Sequence, residues 1–480
     1  MLRLDKLGLG LFGLLALAAS RLICLSQAPG FHYDEAWAAN FAHRIATEPG
    51  FWPLAAQSPY TSASGHYIAA AFFRIFGTNL FVYRSSGIAL MVAGAFLLMR
   101  ALRGFGEARA ALILPWLLAF SVTLAINERF VIDLTSFHAF CLGLFAFGIS
   151  LFYRRIPAWG ALWTTLAVLF GVTSHVLFIG VALAALGAIL LNRRGNGMSR
   201  VDSLTIGLCG LGCLAFFVRI FLNIPEKDKA LSLISVTISA LALALLPPLR
   251  KRFTHEKFQR GLRYVINALA LPGCALLIFF WEGSWALLFF TGTIAYPALI
   301  GLNLIAPLLC LVSYRAIDRR ALPPGFFDFW ALTILITSAL AVKPTPRYFE
   351  IPLVLGAVFF SMVLARLPKK IGAGITLLWI AASTLVFSIN YLRPQIEDSA
   401  PKNLSYHFLF FRDGTGDTLN KQRLVQQLSK EGYGPQQVIT HDSRLSEELR
   451  FLAIGDWPVA RANGRTETIT NWPPRVRLTR

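Results

Sequence analysis

Apolar stretches of about twenty residues recur along most of this chain, and nothing else in the sequence constrains its fold so tightly. A stretch of that length surrounded by lipid satisfies its backbone polar groups as a helix. With 480 residues, 56% hydrophobic and 15% charged, and a mean hydropathy of +0.59, the chain is too apolar for soluble domains of this size. The expected fold is an all-α polytopic membrane protein. Spans are predicted at 7–25, 81–99, 110–126, 132–152, 158–172, 174–191, 203–222, 230–248, 264–280, 285–312, 326–342, 349–365 and 372–390, about thirteen in all. The first lacks a small-residue cleavage site and is read as a retained span.

Lys and Arg in short loops mark the cytoplasmic side. Starting inside, alternate loops carry Arg100, Arg103 and Arg109; Arg154 and Arg155; Arg193, Arg194 and Arg200; then a run from Arg250 to Arg263. Arg315, Arg319 and Arg320 continue the series, followed by Arg366, Lys369 and Lys370. The intervening loops are short or of mixed charge. The N-terminus is therefore expected in the cytoplasm, with the long 26–80 loop and everything after Tyr391 outside. The chain divides into a transmembrane domain, 1–390, and a small extracytoplasmic α/β domain, 391–480, with one predicted strand at Val438–Thr440, a helix at Ser443–Leu452, and a loosely packed end after Ala460.

The net charge of +20 does not imply nucleic acid, because the basic residues lie between apolar runs and form no aromatic-interleaved face. Cys24, Cys141, Cys209, Cys213, Cys274 and Cys310 all sit in apolar segments, which fits core packing and neither a disulfide framework nor zinc. No His/Asp/Glu grouping has metal-ligand spacing, so neither metal nor cofactor is expected.

Chemistry-bearing residues gather in the outside loops. Asp34 and Glu35 follow the first span and open a predicted helix in which Trp37, Phe41 and Ile45 recur every fourth residue. That pattern fits an interfacial helix with its acidic end favourably placed for the dipole, either as an anchor cap or as a reactive pair. Asp133 falls at the outer end of the fourth span, where an ionised carboxylate needs a partner or a task. Arg129, four residues earlier, can pair with it along a helix. Lys343-Pro-Thr-Pro-Arg347-Tyr348 is a rigid turn holding two cations and a phenol at headgroup depth. Arg347 suits phosphate oxygens, although snorkelling explains it as well. His66, His175, Lys227, Lys229 and Glu282 are weaker candidates on the same side.

The order of these blocks resembles the integral-membrane glycosyltransferases of the C-type fold, in particular bacterial relatives of the protein O-mannosyltransferases and of the lipid A aminoarabinose transferase. Asp34-Glu35 matches the family's acidic motif, and Phe72–Gly77 followed by Tyr83-Arg84 resembles the approach to its second span. Arg129 to Asp133, Arg347 to Pro352 and the tail stretch Ser443 to Phe451 resemble further blocks, so the likeness extends over nearly the whole chain. This chain departs from the family at Trp37 and at Tyr60–Ala63, where many relatives carry an Arg or Tyr and a His-Pro-Pro or Lys-Pro-Pro turn.

The resemblance implies an inverting transfer from a polyprenyl-phosphate-linked sugar to an acceptor hydroxyl outside a bacterial inner membrane. It makes Asp34 the general base, with Glu35 beside it, and Asp133 the residue that positions the acceptor. Arg347, Tyr348, Lys343, Arg129, Arg84, His66 and His175 are then the candidates around the donor phosphate. The acceptor is a glycolipid, a polysaccharide or a protein. Rival readings are a lipid-linked-sugar flippase or other transporter, a non-catalytic lipid-binding relative, and an envelope polymerase or ligase using a diphosphate donor. Against transport, the ionisable residues lie at the outer edge rather than the midplane, and no repeat is visible.

Overall fold

The computed structural model describes residues 2–26, 31, 33–54, 56, 63–129, 135–154, 156–183 and 350–392, with short pieces at 218, 333–334, 337, 425–427, 430, 438–440, 451–452, 466–469 and 476–479. Apart from residues 218, 333–334 and 337, the spans expected from 203 to 342 lie outside the described residues, as do four of the cysteines and Lys227, Lys229 and Glu282, so the count of thirteen is not addressed by them.

The described helices are α1 (Leu2–Leu22), α2 (Tyr33–Thr47), α3 (Ser64–Phe76), α4 (Leu80–Gly104), α5 (Ala108–Phe120), α6 (Val122–Arg129), α7 (Ser136–Tyr153), α8 (Pro157–Ser174), α9 (Glu350–Arg366) and α10 (Lys369–Val386). Local chemistry sets several boundaries. Asn79 caps α4, its side chain accepting from the Val82 amide at 2.9 Å. Pro157 opens α8, where no intrahelical donor is needed. Gly77 ends α3 at φ 82°, a conformation few other residues adopt.

The sequence predicts one span over 110–126, but the structure divides it into α5 and α6 at Ser121, whose backbone is extended. The apolar run gives no sign of this break. At the break the carbonyls of Leu118 and Ala119 accept from Arg21 of α1, a partner remote in sequence.

α4 and α10, the latter continued to Ile389 by a π-helical turn at Phe387–Leu392, are long and apolar enough to cross a membrane. α10 leaves Leu377, Leu378 and Leu385 exposed, and α1 leaves Phe12 and Leu15 exposed, an outer surface suited to lipid. Inside, Met91, Leu98, Leu114, Leu117, Leu142, Phe145, Leu353 and Phe359 form one core shared by α4, α5, α7 and α9. Between lipid-bathed helices the hydrophobic effect gives little net drive, so close packing at small residues matters more. Gly94 of α4 and Gly143 of α7 meet backbone to backbone; a Cβ at Gly94 would lie 2.8 Å from the Ala139 carbonyl and 2.9 Å from the Phe140 Cα.

On the side expected to face the cytoplasm, the Arg366 guanidinium pairs with both carboxylate oxygens of Glu107, and Arg109 donates to the carbonyls of Ala365 and Leu367 at 2.9 and 2.8 Å. These contacts fix the end of α9 to the α4–α5 turn.

In the tail, strands β1 (Val438–Thr440), β2 (Thr466–Ile469) and β3 (Val476–Thr479) form an antiparallel sheet in the order β1-β3-β2. The end after Ala460, expected to be loosely packed, thus supplies two of the three strands. Alternating Val476-Arg-Leu-Thr479 has the period-2 pattern that allows it.

Candidate active site

The C-terminal ends of α1, α5 and α6 and the N-terminal ends of α2, α4 and α9 converge on a layer of buried ionisable side chains: Arg21, Arg84 and Arg129 with Glu35, Glu128 and Glu350. Arg21 pairs with Glu128 and Arg84 with Glu35 inside this layer, and such pairing offsets part of the cost of burying each guanidinium.

Two of these arginines, Arg84 and Arg129, set the path of the chain into α2. The Arg84 guanidinium donates through Nε to Glu35 Oε1 at 2.8 Å and through Nη2 to Oε2 at 2.7 Å, a two-pronged ion pair with neither side chain exposed. Its Nη1 donates to the Leu25 carbonyl at 2.7 Å, just beyond α1. Arg129 donates to the carbonyls of Ser20 and Ile23 at 3.0 and 2.6 Å, and its guanidinium stands 5.2 Å from the centre of the Phe387 ring. Carbonyls that an isolated helix end would leave to water or headgroups are thereby satisfied by guanidinium, which also suits the negative end of the helix dipole.

The same device closes two neighbouring helices. Arg21 reaches the carbonyls of Ala119 and Leu118 at the end of α5, at 2.7 and 2.6 Å, while its Nε holds Glu128 Oε2 at 2.5 Å. Arg74 donates to Ile45 and Ala46 carbonyls at the end of α2, both at 3.0 Å.

α2 carries the acidic pair in its first turn, as its sequence predicts. Asp34 and Glu35 then part company. Glu35 is fully buried against Arg84, whereas Asp34 keeps partial exposure. The apolar side of α2, expected to lie on lipid, is instead covered within the protein: Phe41 and Ile45 are buried with Ala56, Ala63 and Ala70, and Tyr67 and Phe51 pack against them. The amphipathic α3 supplies much of that cover, which a reading of α2 alone could not anticipate. His43 accepts or donates a hydrogen bond with Thr78 Oγ1 at 3.0 Å, and burial pulls its imidazole below the usual range against the opposing influence of Glu48. On the exposed rim, Arg44 draws the Glu48 carboxylate down.

The remaining candidates are spread out. His66 of α3 is buried, with its ring edge-on to Phe41 at 5.0 Å and to Trp37 at 6.1 Å. His175 follows α8, where its Nδ1 accepts from the Leu177 amide at 3.2 Å; its ring is 6.1 Å from that of His138, which bonds Ser174 at 2.9 Å. Arg84 and Arg129, expected near a donor phosphate, are placed on Glu35 and on helix carbonyls in the described contacts. Asp133, Lys343, Arg347 and Tyr348 lie outside the described residues. The helix ends leading to them are joined: Asn127 Nδ2 donates to Glu350 Oε2 at 3.1 Å, so α6, four residues before Asp133, meets α9, three residues after Arg347.

Sequence reasoning missed Arg21, Glu128 and Glu350. Each is an ionisable residue at the edge of an apolar run, a rare placement that by itself signals a partner.

No protein-family model and no curated protein matches the chain. Among solved structures it is similar to ArnT from Cupriavidus metallidurans bound to undecaprenyl phosphate, with 13% identity and a TM-score of 0.43 over 92% of this chain and 74% of that one. It is also similar to the oligosaccharyltransferase of Archaeoglobus fulgidus in its apo form, with 14% identity and a TM-score of 0.46 over 88% of this chain. The match spans 58% of that longer protein.

Proposed function

We propose that the chain is an inverting membrane glycosyltransferase that moves a sugar from a polyprenyl monophosphate to an acceptor hydroxyl at the outer face of a bacterial inner membrane. One observation carries the reading: of two adjacent carboxylates opening α2, Glu35 is fully buried against Arg84 while Asp34, in the same helical turn, is half-buried at the surface of that frame. A base on a flexible loop would sample many geometries; one in the first turn of a helix whose entry is fixed by two arginines is pre-positioned.

In this reading Asp34 takes the proton of the acceptor hydroxyl. The acceptor oxygen forms the new bond to the anomeric carbon as the bond from that carbon to the phosphate oxygen breaks. The electron pair leaves with the lipid phosphate, and the anomeric configuration inverts. Arg347 and Lys343, with Tyr348, are assigned to the charge gathering on the departing phosphate, where fixed cations do most for the rate. Asp133 is assigned to the acceptor. Glu35, Arg84 and Arg129 become positioning groups for Asp34, and His66 and His175 take no step. No step is assigned to a metal. The acceptor class is a glycolipid, a polysaccharide or a protein.

The test is transfer of labelled sugar from a panel of polyprenyl-phosphate donors to membrane extracts, comparing the purified chain with Asp34→Asn. Transfer by the first and a loss of about 100-fold or more in the second are expected. Full transfer by a folded Asp34→Asn protein sinks the base assignment. Donor binding with no transfer by the unmodified chain would point to a lipid-binding relative.

A further inference from the structure

Phe451 belongs to the C-terminal segment, yet its side chain is buried in a cluster whose other core members all come from residues 31 to 83. Its ring centre lies 5.3 Å from that of Phe31 and 6.1 Å from those of Phe73 and Tyr83. The three partners belong to three parts of the site. Phe31 stands three residues before Asp34, Phe73 is on α3, and Tyr83 precedes Arg84 on α4.

We propose that Phe451 is a positioning residue, through which the C-terminal segment holds Phe31 and so sets the approach of the chain to Asp34. Between α1 and α2 the chain is anchored at the Ile23 carbonyl held by Arg129, at the Leu25 carbonyl held by Arg84, and, nearest to Asp34, at the Phe31 ring. The two carbonyls are held by hydrogen bonds from Arg84 and Arg129, whereas the ring contact involves a residue more than 400 positions later. Tilted ring contacts of this kind add geometry-specific attraction to the area they bury. Removing the Phe451 ring takes one aromatic face from the cluster around Phe31, at a distance from the Gly94–Gly143 crossing of α4 and α7.

The catalytic consequence rests on the glycosyl-transfer reading, but the positioning itself does not, and the experiment separates them. Hydrogen exchange over residues 31–42 and sugar-transfer kinetics are measured on the full chain in nanodiscs, for the unmodified protein, Phe451→Ala and Phe451→Met. Met is included because it refills the space and retains favourable contact with aromatic rings. Phe451→Ala is expected to speed exchange over 31–42 by about tenfold while α7 keeps its protection. In the same variant kcat should fall by roughly 10- to 100-fold, with KM for the polyprenyl-phosphate donor little changed. Phe451→Met should restore most of both. Unchanged exchange over 31–42, equal loosening of α7, or a raised KM at intact kcat overturns the proposal. If the unmodified chain transfers no sugar, the functional reading fails and the exchange result alone decides the positioning role.

Discussion

At the scale of single residues, two neighbouring carboxylates are predicted to behave as opposites. Glu35→Ala strands Arg84 as a buried, uncompensated charge and should cost about 3–5 kcal/mol, read as a lowered melting temperature and poor recovery from membranes. Asp34→Asn should melt like the unmodified protein and lose transfer. Stability lost at Asp34 and transfer lost without unfolding at Glu35 would reverse the assignment. His43 adds a pH dependence with a definite sign. Its folded pKa lies below the unfolded value near 6.5, so its contribution is complete above that pH and is lost as pH falls through the folded value. The melting temperature should therefore decline on acidification below 6.5, and His43→Gln should flatten that part of the curve.

At the scale of helices, the sequence shows best what is local. The acidic first turn of α2 and the alternation of basic loops are matters of a few adjacent residues, and each is readable without knowing the neighbours. The frame around Asp34 is not of this kind. Glu35 and Arg84 are 49 residues apart and Arg21 and Glu128 are 107 apart, so no local pattern announces either pair. The break at Ser121 is hard to read for the same reason, since Arg21, which satisfies the last carbonyls of α5, sits on α1. Small residues at crossings fall between the two cases. Gly143 lies in an ordinary apolar run, and only the closeness of Gly94 shows that a side chain does not fit there. Gly143→Ala should lower the melting temperature by an amount equivalent to about 1–3 kcal/mol. Gly374→Ala, whose added methyl meets open space on α10, should be neutral or slightly stabilising. Equal effects from the two would remove close α4–α7 packing as a source of stability.

For the molecule as a whole, orientation is the property on which the functional reading depends, and it is directly measurable. In a background with the native cysteines replaced by serine, a cysteine at Glu48 should react with a membrane-impermeant maleimide added to intact cells, and one at exposed Arg154 should react only after permeabilisation. The opposite pattern would turn Asp34 toward the cytoplasm. The arginine-capped helix ends carry a different implication, one that concerns synthesis. The carbonyls of Ser20 and Ile23 are satisfied by Arg129, a residue 109 and 106 positions downstream. At ribosomal speeds that cap emerges roughly 5–20 s after the helix end it serves. Arg109 waits longer still for Leu367, 258 positions later. Until then the carbonyls at the end of nascent α1 must find other donors, such as water. The order in which arginines leave the ribosome thus becomes a timetable for when each helix end can settle to its final depth.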